Sequence, residues 1–110
     1  MAPPATLRDF ELVVLLSVLR LDKDAYPVSI RDDIASRTSR APSRAAVFIT
    51  LERLEEKGLV TSRFGDPTPM RGGRAKRFFQ ATRMGVAAAK QSVDDVKAMT
   101  VGLSAILRRR

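Results

Sequence analysis

Four cations crowd into one short stretch of this chain: Arg71, Arg74, Lys76 and Arg77, within Met70 to Arg77 (MRGGRAKR), around a glycine pair at 72 and 73. Guanidinium and ammonium groups at that density attract phosphates, and glycine lets the backbone approach another molecule closely. Upstream, Ser43 to Lys57 (SRAAVFITLERLEEK) reads as a helix. Steps of about 100° per residue put Val47, Phe48, Leu51 and Leu54 on one face and Ala45, Ala46, Ile49, Thr50, Arg53 and Glu56 on the other. An ordinary solvent face carries long charged side chains, but the N-terminal half of this one carries two alanines, an isoleucine and a threonine. Small side chains let a helix enter the major groove of a duplex. There Ala or Ile can meet a thymine methyl, and Thr50 or Arg53 can address base edges or phosphates. The same face also suits a plain amphipathic helix that uses Ala for propensity and packs Ile49 on a neighbour.

The elements needed to position these groups can be read around them. Pro42 disfavours helical geometry at Ala41, which makes Ser43 a natural N-cap, and Gly58 ends the helix as a left-handed C′ residue. Leu59 to Phe64 reads as a strand, 65–74 as a loop with two prolines and three glycines, and Ala75 to Ala81 as the returning strand. Before Ser43, a helix from about Val28 to Thr38 turns Ile30 and Ile34 inward, one turn apart. A first helix, capped by Thr6 and running to about Leu21, is apolar around nearly its whole circumference. A helix lying on the surface of a domain needs only one apolar stripe, so this one is expected to meet a partner beyond its own domain.

Thr82 caps a last helix, Arg83 to Leu107, about 38 Å long at the standard rise. Its Ala89, Val93, Val96, Met99, Leu103 and Leu107 recur every three or four residues, the pattern of a seam. Gly102 weakens its last turns. The two apolar helices together predict a homodimer, with Phe10, Val14, Val93, Val96, Met99, Leu103 and Leu107 at the interface. The expected organisation is a flexible arm over 1–6, a winged helix-turn-helix over 7–81, and a C-terminal dimerisation helix with a basic tail over 82–110. In fold class this is mainly α with a small β-hairpin wing.

Charge and composition narrow the function. The 110 residues carry a net charge of +8, with no Cys and no His. Residues 1–57 are neutral (nine basic, nine acidic), 58–85 hold six basic against one acidic, and 86–110 hold five against two. The surplus therefore sits in the hairpin and tail, as a polyanion-binding surface requires. Without thiol or imidazole there is no zinc ribbon, disulfide or His general base, and no Walker loop or isolated carboxylate pair replaces them. No catalytic residue, metal site or cofactor is expected. The apolar run Leu12 to Leu19 is too short to span a bilayer and lacks the flanks of a signal peptide, so a cytoplasmic protein is the expectation.

Ala25-Tyr26-Pro27-Val28-Ser29-Ile30-Arg31, the run Ser43 to Val60, Arg71 to Phe79 and Thr82-x-x-Gly85 together resemble the PadR family of bacterial transcriptional regulators, over about residues 7 to 90. The resemblance implies a dimeric repressor of the short-tailed type, its third helix in the major groove of double-stranded DNA and its wing on the backbone or minor groove. On that basis Ser43 and Arg44 are candidates for phosphate contacts, and Ala46, Ile49, Thr50 and Arg53 for base readout. Arg71, Arg74, Lys76 and Arg77 are candidates for the wing's phosphate or narrow-groove contacts. Any small-molecule effector would sit between the subunits, near the first and last helices. Family members usually carry Tyr where this chain has Phe48, and that hydroxyl commonly reaches a phosphate; Phe48 leaves the ring to the core. The competing function is a winged-helix protein-interaction module without specific DNA binding.

Overall fold

The computed structural model describes residues 6–65 and 75–109. Helices α1 (Asp9–Leu21), α2 (Pro27–Arg37) and α3 (Arg44–Glu56) are followed by strands β1 (Val60–Phe64) and β2 (Arg77–Ala81), a longer helix α4 (Arg83–Thr100) and a single turn, α5 (Ser104–Leu107). The strands pair antiparallel, from Val60 opposite Ala81 to Phe64 opposite Arg77. The Phe79 N–H donates to the Ala25 carbonyl at 2.8 Å, so the α1–α2 connection lies along the free edge of β2.

The helix boundaries follow local chemistry. Ser43 Oγ accepts from the Ala46 N–H at 3.0 Å and Thr82 Oγ1 from the Gly85 N–H at 3.0 Å, each satisfying a donor that the first turn leaves open. Pro27 opens α2 at the position where a missing N–H costs nothing. Gly58, at φ +77°, closes α3, with the Leu59 N–H reaching back to the Leu54 carbonyl at 2.9 Å. Thr6 does not cap α1 as expected. The helix starts later, after Arg8, whose N–H is taken by the Glu11 carboxylate at 2.8 Å. The Thr6 carbonyl instead accepts from Lys57 Nζ at 3.0 Å.

One core holds these elements together. Val14, Leu15 and Val18 of α1 meet Ile30 and Ile34 of α2, Val47, Leu51 and Leu54 of α3, Leu59 and Val60, Phe79 of β2, and Ala88 and Ala89 of α4. Helix α1 is therefore the central one. Its apolar circumference is covered largely by α2, α3, α4 and β2 of its own chain, which is why Val14, expected at a dimer interface, has no exposed surface.

The last helix is not continuous to Leu107. It ends at Thr100, and Gly102 turns the chain at φ +83° before α5. Glycine adopts this backbone without strain, so a residue read as weakening a helix in fact terminates it.

Candidate nucleic-acid interface

Helix α3 presents three longitudinal stripes. Val47, Thr50, Leu51 and Leu54 face the core; Phe48, Glu52 and Glu55 face the hairpin; Ala45, Ile49, Arg53 and Glu56 face outward, with Ala46 half-buried at their margin. Ile49 is 48% exposed, a large apolar side chain left in water. Arg44, which falls toward the covered side on a helical projection, is exposed as well.

Thr50 departs from the expectation. It is 5% exposed, and its hydroxyl donates to the Ala46 carbonyl at 2.8 Å. It lies about 60° around the helix from Val47, close enough to the core to be covered, and bonding back along the helix satisfies the buried oxygen. Its hydroxyl is turned to the helix backbone and away from the outward stripe. What remains outward is a first turn with Ser43 and Arg44, then Ala45, Ala46, Ile49 and Arg53. The last turn carries Glu52, Glu55 and Glu56, which repel phosphate, so any approach to a polyanion favours the N-terminal half.

The expected hairpin cations divide. Arg71 and Arg74 lie outside the described residues. Lys76 is exposed, with Nζ 4.4 Å from the centre of the Tyr26 ring, which meets Phe78 edge-on at 5.6 Å. Arg63, missed from sequence, lies across the same outer face with its guanidinium 4.9 Å from the Phe78 ring. Strand alternation could have found it: Thr61 and Arg63 point to one side of β1, Val60 and Ser62 to the other.

Arg77 differs from these. Its Nη2 donates to Glu55 Oε1 at 2.7 Å, its Nε to Ser62 Oγ at 3.1 Å, and its side chain is 23% exposed. The guanidinium is thus tied to the protein's own carboxylate and hydroxyl.

Two buried carboxylates brace the helices behind this face. Asp33 accepts from Ser17 Oγ at 2.7 Å, Arg20 at 2.9 Å and Arg37 at 2.8 Å, joining α1 to α2. Burial pushes its carboxyl up, but the Ser17 hydroxyl and the two guanidiniums outweigh burial and hold it below the ordinary range. Glu11 pairs with Lys57 at 2.7 Å, joining α1 to the end of α3. Burial is again opposed, here by the Arg8 N–H and the Lys57 ammonium, and the net shift is downward. Arg40, in the α2–α3 turn, pairs with Asp9 and stands 6.0 Å from the Phe10 ring.

Of the residues expected at a subunit interface, Val14 is in the core and Phe10 is half-buried against it. Val93 is partly covered, while Val96, Met99, Leu103 and Leu107 are exposed, Met99 by 77%. Beside the exposed stripe of α4 runs a shallow cavity lined by Leu16, Leu19, Val86, Ala89 and Val93. Among the described residues, no group of acidic, His or Cys side chains could hold a metal ion, and no helix is long and apolar enough to cross a membrane.

The arrangement recurs in solved structures. The chain superposes on a PadR-like transcriptional regulator from Bacillus cereus with a TM-score of 0.72 at 11% identity, covering 92% of this chain and 93% of that one. A PadR family regulator from Clostridium difficile gives 0.67 at 18% identity, covering 87% and 97%, and one from Eggerthella lenta 0.67 at 17%, covering 89% and 83%. At these identities the likeness establishes the winged-helix fold. No curated protein matches the chain in sequence. The sequence pattern of the Transcriptional regulator PadR-like family, however, matches residues 15–91, from within α1 through α2, α3 and the hairpin to the seated half of α4. The chain belongs to the PadR-like family of transcriptional regulators.

Proposed function

We propose that this regulator is a sequence-specific DNA-binding protein, a homodimeric repressor that lays the N-terminal half of α3 in the major groove and its wing, 65–77, on the backbone or minor groove. The observation that carries this reading is the outward stripe of α3. A solvated helix gains nothing from exposing Ile49 between Arg44 and Arg53, whereas a helix seated in a groove uses small and apolar groups flanked by cations. The basic surplus of the hairpin and tail supplies the sequence-independent attraction. The exposed stripe of α4, with Leu16 and Leu19 of α1 beside it, supplies the surface for a second copy in the segment from residue 82 onward. Two copies related by a dyad would present their α3 helices to successive major grooves.

Binding to DNA carrying the chain's own promoter, followed by fluorescence anisotropy, tests this. Affinity should fall steeply with salt. Arg44→Ala should flatten the log–log slope by about 0.9 for each phosphate it no longer neutralises, and Arg53→Ala should change which sequences are preferred. Thr50→Val should leave preference unaltered. Salt-independent binding, or none, would return the chain to the protein-interaction reading.

A further inference from the structure

Phe48, Glu52 and Glu55 stand at i, i+4 and i+7 of α3 and so form one stripe along the flank that faces the hairpin. Arg77 reaches across this stripe from the strand opposite. Its guanidinium carbon is 5.5 Å from the centre of the Phe48 ring, Nη1 is 3.8 Å from Glu52, and Nη2 donates to Glu55 at 2.7 Å. Ser62 closes a ring: its Oγ accepts from Arg77 Nε at 3.1 Å and donates to the second Glu55 oxygen at 2.8 Å. The network joins α3, β1 and β2 at the last pair of the strand ladder before the tip, Phe64 opposite Arg77.

The position matters because it lies at the far end of β1 from the direct link between α3 and β1. Gly58 sits at φ +77° with nothing within 4 Å of where its side chain would be. A cross-tie far from that link adds leverage on the angle of the hairpin to what the link and the core supply. We propose that Arg77 is a positioning residue, held by Glu55, that fixes the hairpin relative to the reading helix and does not itself bind DNA. The inference rests on the DNA-binding reading above.

It reverses the usual sign of an acidic substitution. Two carboxylates beside a helix that faces a polyanion should weaken binding, so on charge alone Glu55→Gln tightens it and also releases Arg77 toward the phosphates. A positioning role requires that Glu55→Gln weaken binding instead.

The test is fluorescence anisotropy with the chain's own promoter DNA across a salt series, using wild type, Glu55→Gln, Arg77→Gln and the double variant, each far below its melting midpoint. Each single variant should lose about five- to tenfold in affinity, and the double no more than the worse single, because the pair acts as one unit. The salt slope should equal that of wild type. Should Arg77→Gln not fold, Arg77→Lys serves in its place. It keeps the charge but cannot reach Ser62 and Glu55 together, and it should weaken binding alike. Equal or tighter binding by Glu55→Gln overturns the inference, as does a slope reduced by about 0.9 per subunit in Arg77→Gln, the mark of a phosphate left without its cation. A wild type that binds no DNA overturns the functional reading and this inference with it. A wild type that binds, beside a Glu55→Gln that binds as well, overturns this inference alone.

Discussion

Gly85→Ala sets two effects of opposite sign against each other. Gly85 lies in the first turn of α4, and a Cβ there would stand 2.0 Å from the Leu59 carbonyl oxygen and 3.0 Å from its carbon, both backbone atoms that cannot rotate away. A carbon and an oxygen need about 3.3 Å, so α4 would have to lift by about 1 Å. That movement breaks the bond from Thr82 Oγ1 to the Gly58 carbonyl (2.7 Å) and the bond from the Thr82 N–H to the Leu59 carbonyl (3.0 Å). At about 1 kcal/mol each, with about 1 more for looser packing at Ala88 and Ala89, the cost is about 3 kcal/mol. Helix propensity returns about 1 kcal/mol on replacing Gly by Ala. The net is a loss of about 2 kcal/mol, or about 10 °C in melting temperature for a domain of this size. Thermal and urea unfolding followed by circular dichroism measure it. Gly102→Ala is the control, because its site is open and its positive φ strains only the joint after α4. A Gly85→Ala protein that melts at or above wild type would falsify the close-approach argument, since propensity alone predicts that result.

Two other outcomes follow from the carboxylates and the α4 stripe. Glu11 and Asp33 have folded-state pKa values below their ordinary ones, so their contribution is complete above the unfolded values of about 4. It is lost as the pH falls through the lower folded values. Urea unfolding across the acid range should therefore show stability declining below about pH 4, and Asp33→Asn should be less stable at neutral pH with a flatter acid limb. Parallel pH curves for the two proteins would remove Asp33 from the account. Val96→Asp places a charge on the exposed stripe of α4 and should convert a sedimenting dimer to monomer with the helical circular dichroism signal retained; an unchanged sedimentation coefficient would move the subunit interface elsewhere.

The elements were legible where local chemistry sets them. Ser43, Thr82 and Gly58 each cap or close a helix through neighbours within five residues, and each does in the fold what its type implies in the sequence. The surroundings of Thr50, Val14 and Arg77 are less legible for a shared reason: they come from elsewhere in the chain. The side of Thr50 depends on how far the core wraps around α3, and the burial of Val14 on the number of elements that pack on α1. An all-round apolar helix in a single chain has two explanations, a second subunit or a central place in its own fold, and periodicity cannot separate them. Arg77 looked like its basic neighbours because Glu55 and Ser62, which engage it, stand 22 and 15 positions away in sequence. Gly102 was noticed, but whether a glycine weakens a helix or ends it depends on the φ it adopts, which no residue type fixes.

The bond between Phe79 and Ala25 bears on the order in which the chain becomes whole. Contacts among α1, α2 and α3 can form once residue 57 has been made, from pairs close in sequence that collapse quickly. The Ala25 carbonyl, on a residue with no exposed surface, has its backbone partner only in the second strand. During synthesis the segments of the three helices are therefore made before the partner of that acceptor, which has no backbone donor until β2 is made. Docking of the hairpin gives that carbonyl its partner, and α4, made last, completes the core with Ala88 and Ala89.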